Sequence, residues 1–207
     1  MKRYFVLPVL LVASVIALTA CGSSGSSGSS GSGGSSGSDE EQITTAIRAV
    51  TTSINPADCK KLETQAFMAQ NTQSEGAKAV SACEQHAKEV KYNPKAVVVS
   101  KVKVNGTKAT ADVAFTGGGF DGQTAAIALV KEGDQWKLDK TTGFAKLDRA
   151  KLVDQFEAQF TDPANKISRS TTSCFVKAVE DEPRAKVEEL LLSGSSEPIS
   201  KLIKSCS

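Results

Sequence analysis

Closely spaced turn signals divide the middle of the sequence into four strands, and they constrain the fold more than any other feature. The valine-rich residues 95–104 precede Asn105-Gly106, a strong hairpin signal because both central positions of a type I′ turn need positive φ. Further strands are predicted at residues 109–115, 125–131 and 135–139, with glycine-containing connections between them. The sequence therefore predicts an antiparallel meander.

The alternation of apolar and polar residues predicts the buried faces of this sheet. On the first strand, Val98, Val102 and Val104 are expected to share one face, and Lys101 and Lys103 the other. On the second strand, one face is predicted to hold Ala109, Ala111, Val113 and Phe115.

Helices are predicted before and after the meander. Residues 39–50 have apolar positions at helical spacing, and Asp58 is a plausible N-cap for a second helix that carries Leu62 and Phe67. A third helix is predicted at residues 74–90. Further helices are expected after the sheet, at residues 146–160, 171–179, 184–192 and 198–205. The predicted fold class is therefore α+β.

The N-terminus has the features of an export signal. Lys2 and Arg3 precede an apolar run at residues 4–18, which is shorter than the ~20 residues of a permanent membrane span. The tetrapeptide LTAC, which ends at Cys21, resembles the lipobox of bacterial lipoproteins. That resemblance implies cleavage after residue 20 and acylation of Cys21, because durable attachment to a membrane takes two or more acyl chains. An ordinary signal that is cut near a cysteine is the alternative.

A low-complexity segment separates Cys21 from the first predicted helix. Residues 22–38 are all glycine or serine, and a random coil of that length reaches roughly 20–25 Å. We interpret the segment as a tether that clears the lipid headgroups, although an engineered linker has the same composition.

The charge balance argues against nucleic acid and against polybasic membrane binding. The chain has 25 basic side chains, of which Lys2 and Arg3 lie in the predicted signal, and 23 acidic ones. The mature chain is thus balanced, and it has no basic stripe of the kind that binds phosphates.

The cysteines beyond Cys21 indicate disulfides, because an exported chain with an even number of cysteines usually pairs them. Four cysteines allow three pairings, and we favour Cys59–Cys83 and Cys174–Cys206, each of which is local to one half of the chain. Zinc is a competing interpretation, but these cysteines lack the close pairs that structural zinc sites use.

The turn and strand KEGDQWKLD, the order of the elements and the pattern ADCKKLETQAF…SACEQ resemble the nuclear transport factor 2-like superfamily, including its exported actinobacterial members. The resemblance covers residues 39–147. It implies N-terminal helices packed on a curved antiparallel sheet, a cone with a pocket at its wide end. A cystatin-like sheet or another small α+β fold has the same order of elements. Residues 148–207 are expected to form a small helical extension that a disulfide closes.

Few residues suit catalysis. His86 is the only histidine, and we expect it to be solvated on a helix rather than to act as a base. The resemblance to ketosteroid isomerase-like members nominates Asp112 as a base and Tyr92 as an oxyanion donor, but a surface role is the better prediction for both. No metal site or cofactor is predicted.

Four aromatic residues are candidates for a ligand pocket in the cone, although aromatic side chains on a sheet are more often core. They are Phe115, Phe120, Trp136 and Phe144.

These features predict a lipoprotein at the extracytoplasmic face of the cell membrane. Its segments are a signal peptide (1–20), acylated Cys21 with its tether (21–38), an α+β domain (39–147) and a helical extension (148–207). The expected function is non-catalytic binding, with a small apolar ligand in the cone. The alternatives are an isomerase- or hydratase-like enzyme, and a structural accessory with an envelope protein as partner.

A Cys21→Ala variant tests the lipid anchor in the native host. The variant lacks the thiol that would carry the lipid, so we expect it to leave the membrane fraction or to keep its signal peptide uncut. Fractionation and intact mass measure this. A correctly cut variant that stays in the membrane fraction would contradict the anchor.

Overall fold

The computed structural model describes residues 37–52, 55–88, 93–161, 167–195 and 197–206. The predicted signal peptide, Cys21, most of the predicted tether and Tyr92 lie outside these residues. The elements in chain order are α1 (Asp39–Thr52), α2 (Ala57–Leu62), α3 (Gln65–Thr72), α4 (Gly76–His86), β1 (Ala96–Asn105), β2 (Lys108–Thr116), a short 3₁₀ helix (Gly118–Phe120), β3 (Thr124–Glu132), β4 (Gln135–Lys146), α5 (Arg149–Phe160), α6 (Arg169–Asp181), α7 (Arg184–Leu192) and α8 (Glu197–Ser205).

The α+β class and the meander are confirmed. The strands form one antiparallel sheet in the order β1-β2-β3-β4, with helices before and after it in the chain. The first turn lies one residue later than predicted, because Asn105 still pairs with Lys108 and the central residues are Gly106 and Thr107. Of these two, Gly106 alone has a positive φ, +60°, which explains the glycine because side chains with a Cβ are disfavoured there.

The prediction that Val98 shares a face with Val102 and Val104 is wrong, because a bulge changes the alternation along β1. Ser100 pairs with Asp112 and Lys103 with Thr110, so β1 has one residue more than β2 between these pairs. The bulge lies at Lys101, whose backbone accommodates the extra residue with a φ of +52°. Such an insertion moves later side chains to the opposite face.

As a result, the valines of β1 divide between the two faces. Val102 packs against the core together with Val97 and Val99. Val98 pairs with Ala114 and is exposed on the other face, whereas Val104 pairs with the buried Ala109 and is exposed on the core side, near the end of the strand. The prediction for β2 is confirmed, since Ala109, Ala111 and Val113 are buried and Phe115 packs on the same core.

The single helix predicted from Asp58 is two helices. Glu63 has extended φ and ψ and pairs with Leu138 in a short parallel bridge. The Thr64 hydroxyl then accepts a hydrogen bond from Phe67 N, which caps α3. The prediction that Asp58 is the N-cap is also wrong, because Asp58 lies inside the first turn of α2. Asn55 Oδ1 accepts the hydrogen bond from Ala57 N at the start of this helix.

Other bounds shift by a few residues. The fourth strand runs to residue 146 rather than 139, and α5 begins at Arg149 because Asp148 caps it. Helix α4, which is the third helix that the sequence predicts, ends at His86 rather than at residue 90.

The main core lies between one face of the sheet and helix α1. Ile43, Ala46 and Ile47 of α1, which recur at helical spacing, are buried. They belong to one hydrophobic cluster with side chains from α2, α3 and strands β2, β3 and β4. Burial of this one-sided apolar face is the main source of stability in such a layer.

A hydrogen-bond network fixes the start of α1 to the β3–β4 hairpin. Asp39 Oδ1 accepts from Lys131 Nζ at 2.7 Å and from Trp136 Nε1 at 2.9 Å. These two donors hold the pKa of Asp39 below its usual value.

A second hydrophobic cluster joins the helices that follow the sheet. Phe175 of α6 is almost fully buried, and its ring centroid lies 5.3 Å from that of Phe156 and 4.8 Å from that of Phe160. Leu147 and Leu191 contact both clusters. Residues 37–207 form one compact unit.

Two glutamine side chains join these later helices to the sheet region. The buried Gln123 amide donates to Asp148 O and accepts from Asp148 N. The Gln70 amide accepts from Thr141 N and donates to Thr141 O and Leu192 O.

The disulfide pairing is the one that the sequence favours. Cys59 is bonded to Cys83, which joins α2 to α4, and Cys174 is bonded to Cys206, next to the end of α8. Among the described residues, no helix combines the length and the apolar character that a bilayer span needs.

Removal of the second disulfide tests how α8 is held. No residue of α8 is fully buried, so in a Cys174→Ser/Cys206→Ser variant we expect amide exchange to accelerate mainly in α8. The chain-entropy contribution of such a bond is about 3–4 kcal/mol. Hydrogen exchange with mass spectrometry measures this, with β2 and β3 as the internal control. Unchanged protection of α8 would contradict the prediction.

Candidate functional site

A cavity of about 340 Å³ opens between the four helices before the sheet and one end of the sheet. Helices α1 to α4 supply one side, and β2, β3, β4 and the 3₁₀ helix supply the other. Its apolar lining includes Val50, Phe67, Pro94, Phe115, Phe120, Ala125, Ile127 and Phe144. Its polar lining includes Thr51, Asn55, Asp58, Glu63, Asn71, Thr72, His86, Asn93 and Thr141.

Three of the four predicted pocket aromatics lie at this cavity. The ring centroid of Phe120 is 5.8 Å from that of Phe115 and 6.0 Å from that of Phe144, so the three rings form a continuous apolar wall. Trp136 does not line it: its ring is buried in the core and its indole N–H is bound to Asp39.

The loop that carries Phe120 has a defined conformation. Asp121 Oδ1 accepts from Gly117 N, and Asp121 Oδ2 forms an ion pair with Lys151 of α5. Gly117 and Gly122 both have φ above +70°, and a Cβ on Gly122 would lie 2.3 Å from Lys151 Cδ. These contacts hold the partly exposed Phe120 ring at the cavity.

The carboxyl group of Glu63 lies in the helical wall of the cavity. Its side chain reaches the interior because residues 63 and 64 are extended between α2 and α3, and Glu63 is only 8% exposed. Oε1 lies 3.4 Å from Cys83 Sγ, but a disulfide sulfur has no proton to donate. Glu63 takes part in none of the ion pairs among the described residues.

This environment raises the pKa of Glu63 to about 7. The larger cause is burial, which disfavours the charged form, and the second is the negative charge of Asp58. Glu63 therefore changes protonation near neutral pH, unlike an exposed glutamate.

Asp112, the predicted base, does not lie at this cavity. Asp112 alternates with the inward-facing Ala111 and Val113 on β2, and its carboxylate pairs with Lys101 Nζ at 2.9 Å. It is not among the residues that line the cavity. Tyr92 lies outside the described residues. His86, expected to be solvated, is exposed and lies at the edge of the cavity.

Cys59, Glu63 and Cys83 place three potential metal-ligand atoms within 4.8 Å of one another. The two sulfurs are bonded to each other, so neither offers the thiolate that metal binding requires. In this oxidised state, the group is a disulfide beside a carboxyl rather than a metal centre.

Glu63 is the residue that sequence reasoning missed, because its position reads as the middle of a longer helix. Thr64 is the residue in the sequence that indicates a helix break, since threonine is a preferred N-cap and a weak former of helix interiors. A new cap at Thr64 makes residue 63 the end of the previous helix.

A family model described as "Low molecular weight antigen MTB12, C-terminal domain" matches residues 68–153. The matched range includes Phe115, Phe120 and Phe144 of the cavity wall, whereas Glu63 and Cys59 precede it. No curated protein and no solved structure matches the chain.

The pH dependence of stability tests the environment of Glu63. The folded chain holds this proton more tightly than the unfolded chain does. The unfolding free energy should therefore fall as the pH rises from about 4.5 to about 7. A Glu63→Gln variant lacks this effect, so at about pH 8 we expect it to be more stable than the parent by on the order of 3 kcal/mol, and at about pH 4 nearly equal to it.

Denaturant unfolding at the two pH values measures the difference. Glu84→Gln is the matched control, since the Glu84 carboxylate lies nearer the surface and pairs with Lys60. Loss of stability in Glu63→Gln at about pH 8 would show that the carboxylate has a stabilising partner.

Proposed function

We propose that this protein is a lipid-anchored, extracytoplasmic binding protein that holds a small, mostly apolar molecule in its cavity without converting it. The observation that carries the proposal is a cavity of about 340 Å³ with a continuous phenyl wall. Ligand sites commonly have this size, with predominantly apolar walls and a few polar groups that orient the ligand.

Three features support the proposed location. The LTAC sequence follows a short apolar run with two basic residues before it. Both disulfides suit an oxidising compartment. The match to a family named for an antigen is also compatible with a position outside the cytoplasm.

We further propose that the α+β domain is a variant of the nuclear transport factor 2-like cone. In support, the helices that precede the sheet contribute to the core on one of its faces, and the cavity opens between these helices and one end of the sheet. That superfamily places its pocket in a corresponding position. The helices after the sheet would then be the appended extension.

The second candidate function is acid–base catalysis, and the environment of Glu63 favours it. A carboxyl group whose pKa is about 7 can both accept and donate a proton at neutral pH. Asp112, the base that the sequence nominated, does not line the cavity, whereas the three phenyl rings do, so binding is the better-supported function.

Native mass spectrometry of the mature chain from residue 22 onward, purified from its host, tests the binding function. This chain keeps the whole compact unit of residues 37–207. We expect a reproducible added mass that denaturation releases. Conversion of the identified molecule by the protein would favour the enzyme instead.

Two neighbouring alanines provide a matched pair of variants. Ala125 lines the cavity, whereas Ala126 pairs with Asp112 and is the next residue of the strand, on the opposite face. We expect Ala125→Leu to remove most of the added mass, because its larger side chain occupies the cavity, and Ala126→Leu to retain it. A bare mass in the parent protein would contradict the binding function and direct attention to an envelope partner.

A further inference from the structure

If the cavity binds a ligand as proposed above, Glu63 determines the chemistry of that ligand. Glu63 is more than nine-tenths buried and lines the cavity, and among the described residues its carboxyl has a disulfide sulfur beside it but neither a hydrogen-bond donor nor a cation. A buried carboxyl without a hydrogen-bond donor or a cation is costly. A ligand that brings such a group into the cavity would offset that cost.

The charged groups around Glu63 determine which sign of charge a ligand can carry. Asp58 of α2 lies in the same wall, and His86 of α4 lies at its edge. On the β4 side, the Asp139 carboxylate accepts from the Thr64 hydroxyl. No lysine or arginine is among the described residues that line the cavity.

Two carboxyl groups in a partly desolvated wall attract a cation and repel an anion. A fatty acid or a phosphate would place its negative charge next to Glu63 and Asp58. An alcohol would satisfy one oxygen of Glu63 but would gain nothing from the second carboxylate. The phenyl wall, in turn, requires an apolar body.

We propose that the cavity takes an apolar amine, whose protonated nitrogen pairs with the Glu63 carboxylate and whose hydrocarbon part packs on Phe115, Phe120 and Phe144. Buried charge-assisted hydrogen bonds of this kind are stronger than those between neutral groups. Asp58 adds a second, longer-range attraction.

Three probes with the same hydrocarbon chain separate the alternatives: octylamine, octanol and octanoate. Isothermal titration of the mature chain from residue 22 onward at about pH 8 measures their affinities. We expect octylamine to bind at least about 10-fold more tightly than octanol, as one charge-assisted bond of about 1.5 kcal/mol or more implies. Octanoate should bind most weakly.

Variants then assign the effect to Glu63. Glu63→Gln should lower the octylamine affinity to that of octanol and leave octanol binding nearly unchanged. Glu84 lies on α4 and pairs with Lys60, so Glu84→Gln should change neither the octylamine affinity nor the octanol affinity. Asp58→Asn should weaken octylamine by a smaller factor, and it provides a second variant if the first folds poorly.

The pH dependence supplies a readout that a merely structural role would not produce. Pairing with the amine needs the carboxylate, whose pKa is about 7 in the free protein. Octylamine should therefore bind at least about 10-fold more weakly at about pH 5 than above pH 7 and approach the affinity of octanol, while octanol itself changes little. Asp58 and His86 also face this region, so the comparison is repeated in Glu63→Gln, where the dependence should largely disappear.

The outcomes distinguish the two proposals. Equal affinity for octanol and octylamine, or preference for octanoate, would overturn the amine inference and leave the apolar binding function standing. Binding of none of the three probes would overturn both.

Discussion

The extended pair Glu63-Thr64 is the link on which the fold and the site both depend. Glu63 pairs with Leu138 of β4, and Thr64 N donates to the Leu138 carbonyl at 2.9 Å. These contacts attach the helices to the sheet at a fixed point. Because backbone groups buried between layers need partners, the break between α2 and α3 is stabilised, and the same geometry turns the Glu63 side chain inward.

The cavity follows from what surrounds this link. The Cys59–Cys83 bond holds α2 and α4 together beside Glu63. Across the cavity, Ala125 presents a small side chain, while the loop that Asp121 and Lys151 hold in place brings Phe120 to the opposite wall. The cavity is apolar on one side and has a buried carboxyl on the other. It therefore differs from a tightly packed core, in which such voids are rare.

The sequence predicted the parts of the fold that depend on local signals. The Asn105-Gly106 turn, the apolar positions of α1 and the local cysteine pairs were all sufficient to place strands, helices and disulfides. The bulge at Lys101 was not predictable, because a valine-rich strand shows no local sign of the extra residue. Glu63 was missed for a related reason: its burial depends on a bridge to Leu138, far away in sequence, which overrides the helical pattern around it.

Glu63 lies in the cavity as a carboxyl that no cation of the described residues pairs with, and it changes protonation near neutral pH. Carbon-13 NMR of the glutamate side-chain carboxyls, titrated from about pH 3 to about pH 9 and assigned with Glu63→Gln, measures this directly. We expect one carboxyl resonance that titrates at about 7 and is absent from the variant. A Glu63 resonance that titrates near 4.5, the ordinary value, would show that the group is solvated or paired and would contradict the account.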